Sequence, residues 1–246
     1  SYGISKIVNY ELIENDENPP AYFYDVLSNL QHQSDATLPV PYTHRLSFET
    51  MIIDTSIYLP ALLADFQQKR GMLVQRTISN TSDIEALDEK IIFNCMGIGS
   101  KNIFPDDLLK PVKGVALLLK PLAEVKSIVS AGDFILAPRG HDLYLGASYN
   151  ESYISDGVSQ EEIDYLFNNV KRIVETPNTP FSLPEGLLNK DTITKTIVGF
   201  RPVRSIGPRV EKELVGTKTI IHNYGHGGNG IILSWGTSFS AVELLY

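Results

Sequence analysis

Tyr224 to Gly236 reads YGHGGNGIILSWG, and the fold turns on how its glycines are read. GHGGNG satisfies G-x-G-x-x-G, the loop that cradles a dinucleotide pyrophosphate, and it lies between an apolar run and a stretch with helical character. A pyrophosphate-binding βαβ unit also needs a second strand and an acidic residue about 20 positions on, to grip a ribose. The sequence ends at Tyr246. The loop is therefore expected to meet another part of a nucleotide. The alternative is a glycine-rich turn from strand to helix that holds no ligand.

The rest of the composition narrows the classes. The chain has 246 residues, 43% apolar and 20% charged, enough for one large domain or two interleaved ones. Its 21 basic and 29 acidic residues leave a net charge of −8, which argues against a polyphosphate-binding surface or attraction to anionic membranes. Nucleic acid and membrane are thus not expected as partners. Cys95 is the single cysteine, so intrachain disulfides and cysteine-rich metal sites are excluded and a reducing, cytoplasmic setting is the simplest reading. No metal is expected.

Outward from the loop, the pattern alternates. Asp54, Thr55 and Ser56 offer capping oxygens, and Ile57, Leu59, Leu62, Leu63 and Phe66 make one helical stripe that Gly71 ends. GMLVQRTIS (71–79) and EKIIFNCMG (89–97) read as strands, giving an α/β rhythm. VALLLK, FILAP and DLYLGAS, broken by Pro and Gly, read as an antiparallel sheet. Ser159 and Glu162 stand at capping-box spacing before Ile163, Leu166, Phe167, Val170 and Val174, so 159–174 reads as an amphipathic helix. TITKTIVGF and TIIHNY are further strands, while YFYDVLSNL near the start is a brief helix or strand.

Three stretches, IIFNCMGIGS (91–100), GFRPVRSIGPRVE (199–211) and IIHNYGHGGNGIILSWGTSFSAVEL (220–244), in this order, resemble the D-amino-acid oxidase family of flavoproteins. The resemblance covers roughly residues 42–246. It implies a mixed α/β (α+β) fold: a partial Rossmann-like FAD-binding layer, expected at 54–110 and 199–246, and an antiparallel substrate-binding sheet with flanking helices at 1–53 and 111–198. In that family the phosphate-gripping fingerprint sits in an upstream strand-loop-helix unit, which this sequence lacks. These residues alone are therefore expected to hold FAD weakly, and to self-associate or pair with an N-terminal segment.

The resemblance also places site residues. Gly227, Gly228, Asn229, Gly230 and Ile231 would face the pyrimidine edge of the isoalloxazine ring, where amides at a helix start stabilise the charge of reduced flavin. Asn229 stands where D-amino-acid oxidases usually carry tyrosine; the NGI run is closer to glycine-oxidase-like relatives. Gly97 opens a second cofactor-contacting turn, and Thr77 and Ile78 match a strand end on the adenine side. Arg201 matches the arginine that pairs with a substrate carboxylate, a task suited to a planar guanidinium. Arg204 and Arg209 suit structural ion pairs instead. Where the family bears a substrate-binding tyrosine this sequence has Ile135, with Phe134 beside it; Tyr144 or Tyr149 is the candidate substitute. His222 reads as a core histidine and His226 as a residue that orients backbone, so no acid or base is assigned. The implied activity is oxidation of the C–N bond of an amino acid or related amine to an imine by hydride transfer to flavin N5. A non-catalytic binding or assembly protein that keeps this fold is the rival reading.

Overall fold

The computed structural model describes residues 2–14, 19–146, 148–151 and 157–246. Ala147 of the DLYLGAS run and residues 15–18 of the first loop lie outside them. In chain order the strands are β1 (Ile4–Ile13), β2 (Ser28–Ser34), β3 (His44–Ile53), β4 (Ile91–Asn94), β5 (Leu109–Leu119), β6 (Ile128–Ala131), β7 (Phe134–Pro138), β8 (Leu143–Gly146), β9 (Ile193–Arg204), β10 (Arg209–Val215) and β11 (Lys218–Tyr224). The helices are α1 (Ala21–Val26), α2 (Thr55–Gln68), α3 (Thr81–Glu85), α4 (Gln160–Val174) and α5 (Gly230–Glu243). Single 3-10 turns cover Gly97–Asn102, Lys190–Thr192 and Gly227–Asn229.

Two compact units emerge from residue contacts. The first comprises Ser1–Leu73, Gly114–Tyr149 and Ser155–Val198, the second Val74–Lys113, Asn150–Ile154 and Gly199–Tyr246. The chain thus passes back and forth between them. α2 falls in the first unit, whereas the sequence reading had grouped it with 74–110.

The first unit is built on a sheet of order β2-β3-β1-β6-β7-β8-β5-β9. β6 to β8 and β5 pair antiparallel, while β1 and β6 run parallel, with Asn9 opposite Ile128 and Leu12 opposite Ala131. Val115, Leu117 and Leu119 of β5 and Leu143 and Leu145 of β8 join Leu166, Phe167, Val170 and Val174 of α4 in one core. α4 begins where the sequence placed it: Ser159 Oγ accepts from Glu162 N at 3.2 Å and Glu162 Oε2 accepts from Ser159 N at 2.9 Å, closing a capping box. No helix among the described residues is long and apolar enough to cross a membrane.

The second unit holds a three-stranded sheet, β10-β11-β4, in which β11 pairs antiparallel with β10 and parallel with β4. Ile220 of β11 packs with Ile84, Ile103 and Phe104, and Ile78 and Ile92 cover that cluster.

One expectation needs correction. Residues 72–79 form no strand, because a strand exists only through pairing and β4 stands at the sheet edge with no further strand beside it among the described residues. Met72 is 83% exposed. α2 is helical and is capped by Asp54, whose carboxylate accepts from Ser56 N at 3.0 Å, but its apolar stripe stays open: Ile57, Leu59, Leu63 and Phe66 are exposed, and Tyr58 is the residue it buries. β10 is a strand that the sequence reading did not propose.

Truncating the fully buried Leu166 to alanine removes the centre of the α4 contact. Leu166→Ala is expected to destabilise the first unit by about 2–5 kcal/mol, and Ser159→Ala by about 1 kcal/mol through loss of the cap. Urea unfolding followed by circular dichroism measures both, and equal losses would contradict the assignment of the core.

Candidate functional site

Four residues at the end of β9 and two glycine turns meet in the second unit, and the glycines show how closely. A Cβ on Gly228 would lie 3.4 Å from both Cδ and Nε of Arg201, one on Gly227 3.5 Å from Val203, and one on Gly225 3.0 Å from Cβ of Arg204. On the other side of the strand end, a Cβ on Gly97 would lie 3.8 Å from Pro202. The FRPVR run is therefore flanked by the 225–228 loop and the 97–102 turn, and Val203 and His226 form an antiparallel bridge. Gly225 and Gly227 have φ of 87° and 60°, the left-handed region that glycine enters without strain. Arg201 Nη1 donates to the carbonyl of Lys113 at 3.5 Å.

From this loop the chain enters α5. Its cap residue Asn229 makes no side-chain hydrogen bond to the first turn, so the backbone N–H groups there and the positive end of the helix dipole have no side-chain acceptor. His226 Nε2 lies 3.1 Å from Thr237 Oγ1, about two turns into the same helix, and burial lowers its pKa. That contact fixes the loop against α5.

The polar groups behind the loop are tied together. Asp106 Oδ2 accepts from Tyr224 Oη at 2.9 Å and from Arg204 Nε at 3.0 Å. Burial would push this carboxyl up, but those two hydrogen bonds and the Arg204 charge hold it below the usual carboxylate value. Arg209 donates to Tyr224 Oη, Glu211 and Glu213, each at 3.0 Å. His222 is fully buried, with ring nitrogens 3.0 Å from Asn94 Nδ2 and 2.9 Å from Glu213 Oε2.

Of the residues singled out in the sequence, Arg201, Gly227, Gly228, Asn229, Gly230, Ile231 and Gly97 converge within the second unit, and Ile78 lies over its core cluster. Tyr144 sits on β8 in the first unit, with the Arg139 guanidinium 5.4 Å from its ring centroid. Phe134 and Ile135 occupy β7, and the Phe134 ring packs 5.5 Å from that of Tyr165. Arg204 and Arg209 are the ion-paired arginines. Asp106, Asn94 and Glu213 were not foreseen. A lone aspartate in FPDD carries no periodic or motif signal, and only the topology shows what it holds. An open cavity of about 430 Å³ in the first unit, lined by Glu11, Phe23, Tyr42 and Leu46, contains none of the expected site residues.

The large mixed sheet, the smaller sheet and the glycine turn leading into a helix define a mixed α/β protein. The fold matches glycine oxidase from Geobacillus kaustophilus with a TM-score of 0.72 at 14% identity, over 99% of this chain and 71% of that one. It matches L-alpha-glycerophosphate oxidase from Mycoplasma pneumoniae with FAD bound with a TM-score of 0.71 at 13% identity, over 98% and 73%. Residues 24–244 match the family of FAD dependent oxidoreductases, and the chain belongs to that family. It is 28% identical to a D-amino-acid oxidase of Dictyostelium discoideum over 198 residues, 79% of this chain and 54% of that protein. It is 27% identical to one of Fusarium vanettenii over 241 residues, 91% of this chain and 65% of that protein. The chain thus spans between half and two thirds of the length of these relatives.

Asp106→Ala is expected to cost about 3–5 kcal/mol at neutral pH, because it leaves the buried Arg204 guanidinium without its carboxylate. The Asp106 pKa is depressed in the folded state, so its contribution is complete above the ordinary carboxylate value of 3.8 and fades as pH falls through the lower folded value. Urea denaturation of both proteins should show their difference shrinking toward acid; a constant difference would refute the ion-pair account.

Proposed function

We propose that this chain is the catalytic portion of an FAD-dependent oxidoreductase that oxidises the C–N bond of an amino acid or related amine to an imine. The observation that carries this reading is the Arg201 side chain lying against Gly228, beside a helix start without a side-chain cap. The residues fit the cofactor edge. Glycines at 227 and 228 present backbone without Cβ atoms, and amides at the start of the helical run into α5 would face the cofactor with the helix dipole behind them. Gly227, Gly228, Asn229, Gly230 and Ile231 would hold the pyrimidine edge, Gly97 a second edge, and Ile78 the adenine side. When bound, FAD supplies a two-electron acceptor.

The chain's own work is positioning. Arg201 would take the substrate carboxylate through two parallel N–H donors, fixing the α-carbon relative to the loop. Neither histidine is assigned as a base: His222 is fully buried and committed at both nitrogens, and His226 is held to Thr237. A substrate amine that arrives neutral requires none. The partner is thus a small amine or amino acid. The lone Cys95, exposed on the surface, fits a reducing cytoplasmic setting.

A second part of this reading concerns α5. Ile232, Trp235 and Phe239 lie exposed on it, Trp235 at 72%, and a helix apolar on most sides is normally covered. We assign this face to pairing, with an N-terminal segment or a second copy of the chain. A non-catalytic binding protein is the rival reading, favoured by Phe134 and Ile135, neither of which carries a hydroxyl.

Arg201→Lys keeps the charge and loses the two-pronged geometry. It is expected to weaken a carboxylate-bearing substrate by about 1.5–3 kcal/mol, roughly tenfold to a hundredfold, and an amine without a carboxylate far less. Steady-state kinetics on both substrates decide this; equal losses would remove the clamp. Purified with excess FAD and desalted, these 246 residues are expected to retain little flavin, because the usual pyrophosphate cradle is not among them. Stoichiometric flavin on a monomer in size exclusion would overturn this account of how the cofactor is held.

A further inference from the structure

Asn94, His222 and Glu213 form a hydrogen-bonded row across the three-stranded sheet, one residue from each strand. Asn94 Oδ1 accepts from the Met96 backbone N–H at 3.2 Å and from Ser100 Oγ at 3.0 Å. A backbone N–H only donates, so the oxygen of the Asn94 amide must face it, and the amide's orientation is fixed. Its nitrogen then faces His222 Nδ1 at 3.0 Å. An amide nitrogen also only donates, so Nδ1 must be the bare nitrogen and the ring proton must sit on Nε2, which donates to Glu213 Oε2 at 2.9 Å. The ring has little freedom to escape this choice, being fully buried and set edge-on to Phe104 and Tyr224, 4.7 and 5.7 Å away between centroids.

We propose that His222, held neutral with its proton on Nε2, is the positioning residue of the Gly97–Asn102 turn, acting through Asn94, and that protonating it releases this turn. The proposal rests on the flavin reading above for its consequence, since that turn is the one assigned to a cofactor edge. A second proton on Nδ1 would set N–H against N–H across the Asn94 contact. Asn94 would then have to move or turn, and either motion surrenders the hydrogen bonds that hold Met96 and Ser100.

The surroundings set the direction. Glu213, Glu211 and Arg209 face the ring from β10, and Tyr224 lies beside it on β11. β4 presents the uncharged Asn94, the segment after the turn presents Phe104, and α5 has no titratable side chain before Glu243. Burial lowers the pKa of His222, Arg209 acts the same way, and the bond to Glu213 opposes them without reversing the result. The hold is therefore complete above the ordinary histidine value of 6.5 and is lost as pH falls through the lower folded value.

The test is long-range proton–nitrogen NMR on the labelled chain, from neutral pH to about pH 5. His222 should show the Nε2–H pattern at neutral pH, and the amide signals of Gly97, Gly99 and Ser100 should move with its titration. Asn94→Asp supplies an oxygen that accepts from Met96, Ser100 and a protonated Nδ1 together. It should raise the His222 midpoint by about one pH unit or more, a tenfold gain in proton affinity, and keep the turn amides still. His226→Gln, which removes the other histidine of the motif, should leave the turn's response in place. An Nδ1–H tautomer at neutral pH, or turn amides that ignore the ring's titration, would overturn the proposal. Added FAD separates the two readings. FAD affinity in the parent should fall several-fold toward acid and stay flat in Asn94→Asp, whereas the same slope in both denies the turn its cofactor role. If FAD shifts no amide from Gly227 to Ile231 at any pH, the flavin reading fails, and the tautomer and turn signals still decide this proposal.

Discussion

One carboxylate fixes the geometry on which the site depends. Asp106 Oδ2 accepts from Tyr224, the last residue of β11, and from Arg204, the last residue of β9. These are the points where the two motif-bearing segments leave their strands. Without a shared acceptor, the FRPVR end and the start of the glycine loop would each have freedom to shift by the ångström that separates a contact from a gap. A Cβ on Gly225 would stand 3.0 Å from Cβ of Arg204, so glycine there lets the pinned loop and strand end lie side by side. Charge-assisted bonds at a half-dry site supply that stiffness at a desolvation cost that the carboxylate's depressed pKa shows to be offset.

Local chemistry made much of the fold legible. The Ser159 and Glu162 spacing marked the start of α4 because capping is decided within four residues. Strands β5, β7 and β8 were readable because alternation and Pro or Gly turns are also local. Failure came where pairing or burial depends on distant chain. GMLVQRTIS has the composition of a strand, and Ile57, Leu59, Leu63 and Phe66 have the spacing of a buried stripe, yet neither finds its cover among the described residues. Composition records what a segment can do; topology decides whether a neighbour exists. β10 was missed for the opposite reason, since RVEKELV is charged at four of its seven positions and gains its strand from β11 alongside.

The site divides in the same way. Arg201 and the 227–231 loop were visible because two long motifs stood in order, and the structure sets the Arg201 side chain where a Cβ on Gly228 would touch it. Asp106, Asn94 and Glu213 were invisible as isolated polar residues, separated from their partners by 118, 128 and 9 positions. Their significance arises from the parallel pairing of β4 with β11, which sets Asn94 opposite His222. His222 was readable as a core histidine but not as one whose tautomer is dictated. That required knowing that Met96 N–H, a pure donor, occupies the Asn94 oxygen.

The glycine loop and the bare apolar face of α5 are physically linked. An uncapped helix start acts on a nearby anion through partial charges, and in water such an effect is worth well under 1 kcal/mol because solvent screens it. The same amides act far more strongly where the surroundings are dry. α5 carries three large apolar residues outward, Ile232 in its first turn and Trp235 and Phe239 beyond it. Covering that face would bury the helix and lower the dielectric around its N-terminal amides in one step. On the flavin reading, the apolar surface of α5 is thus linked to the loop's electrostatics: a cover over that face would also strengthen the action of the backbone charges at its start.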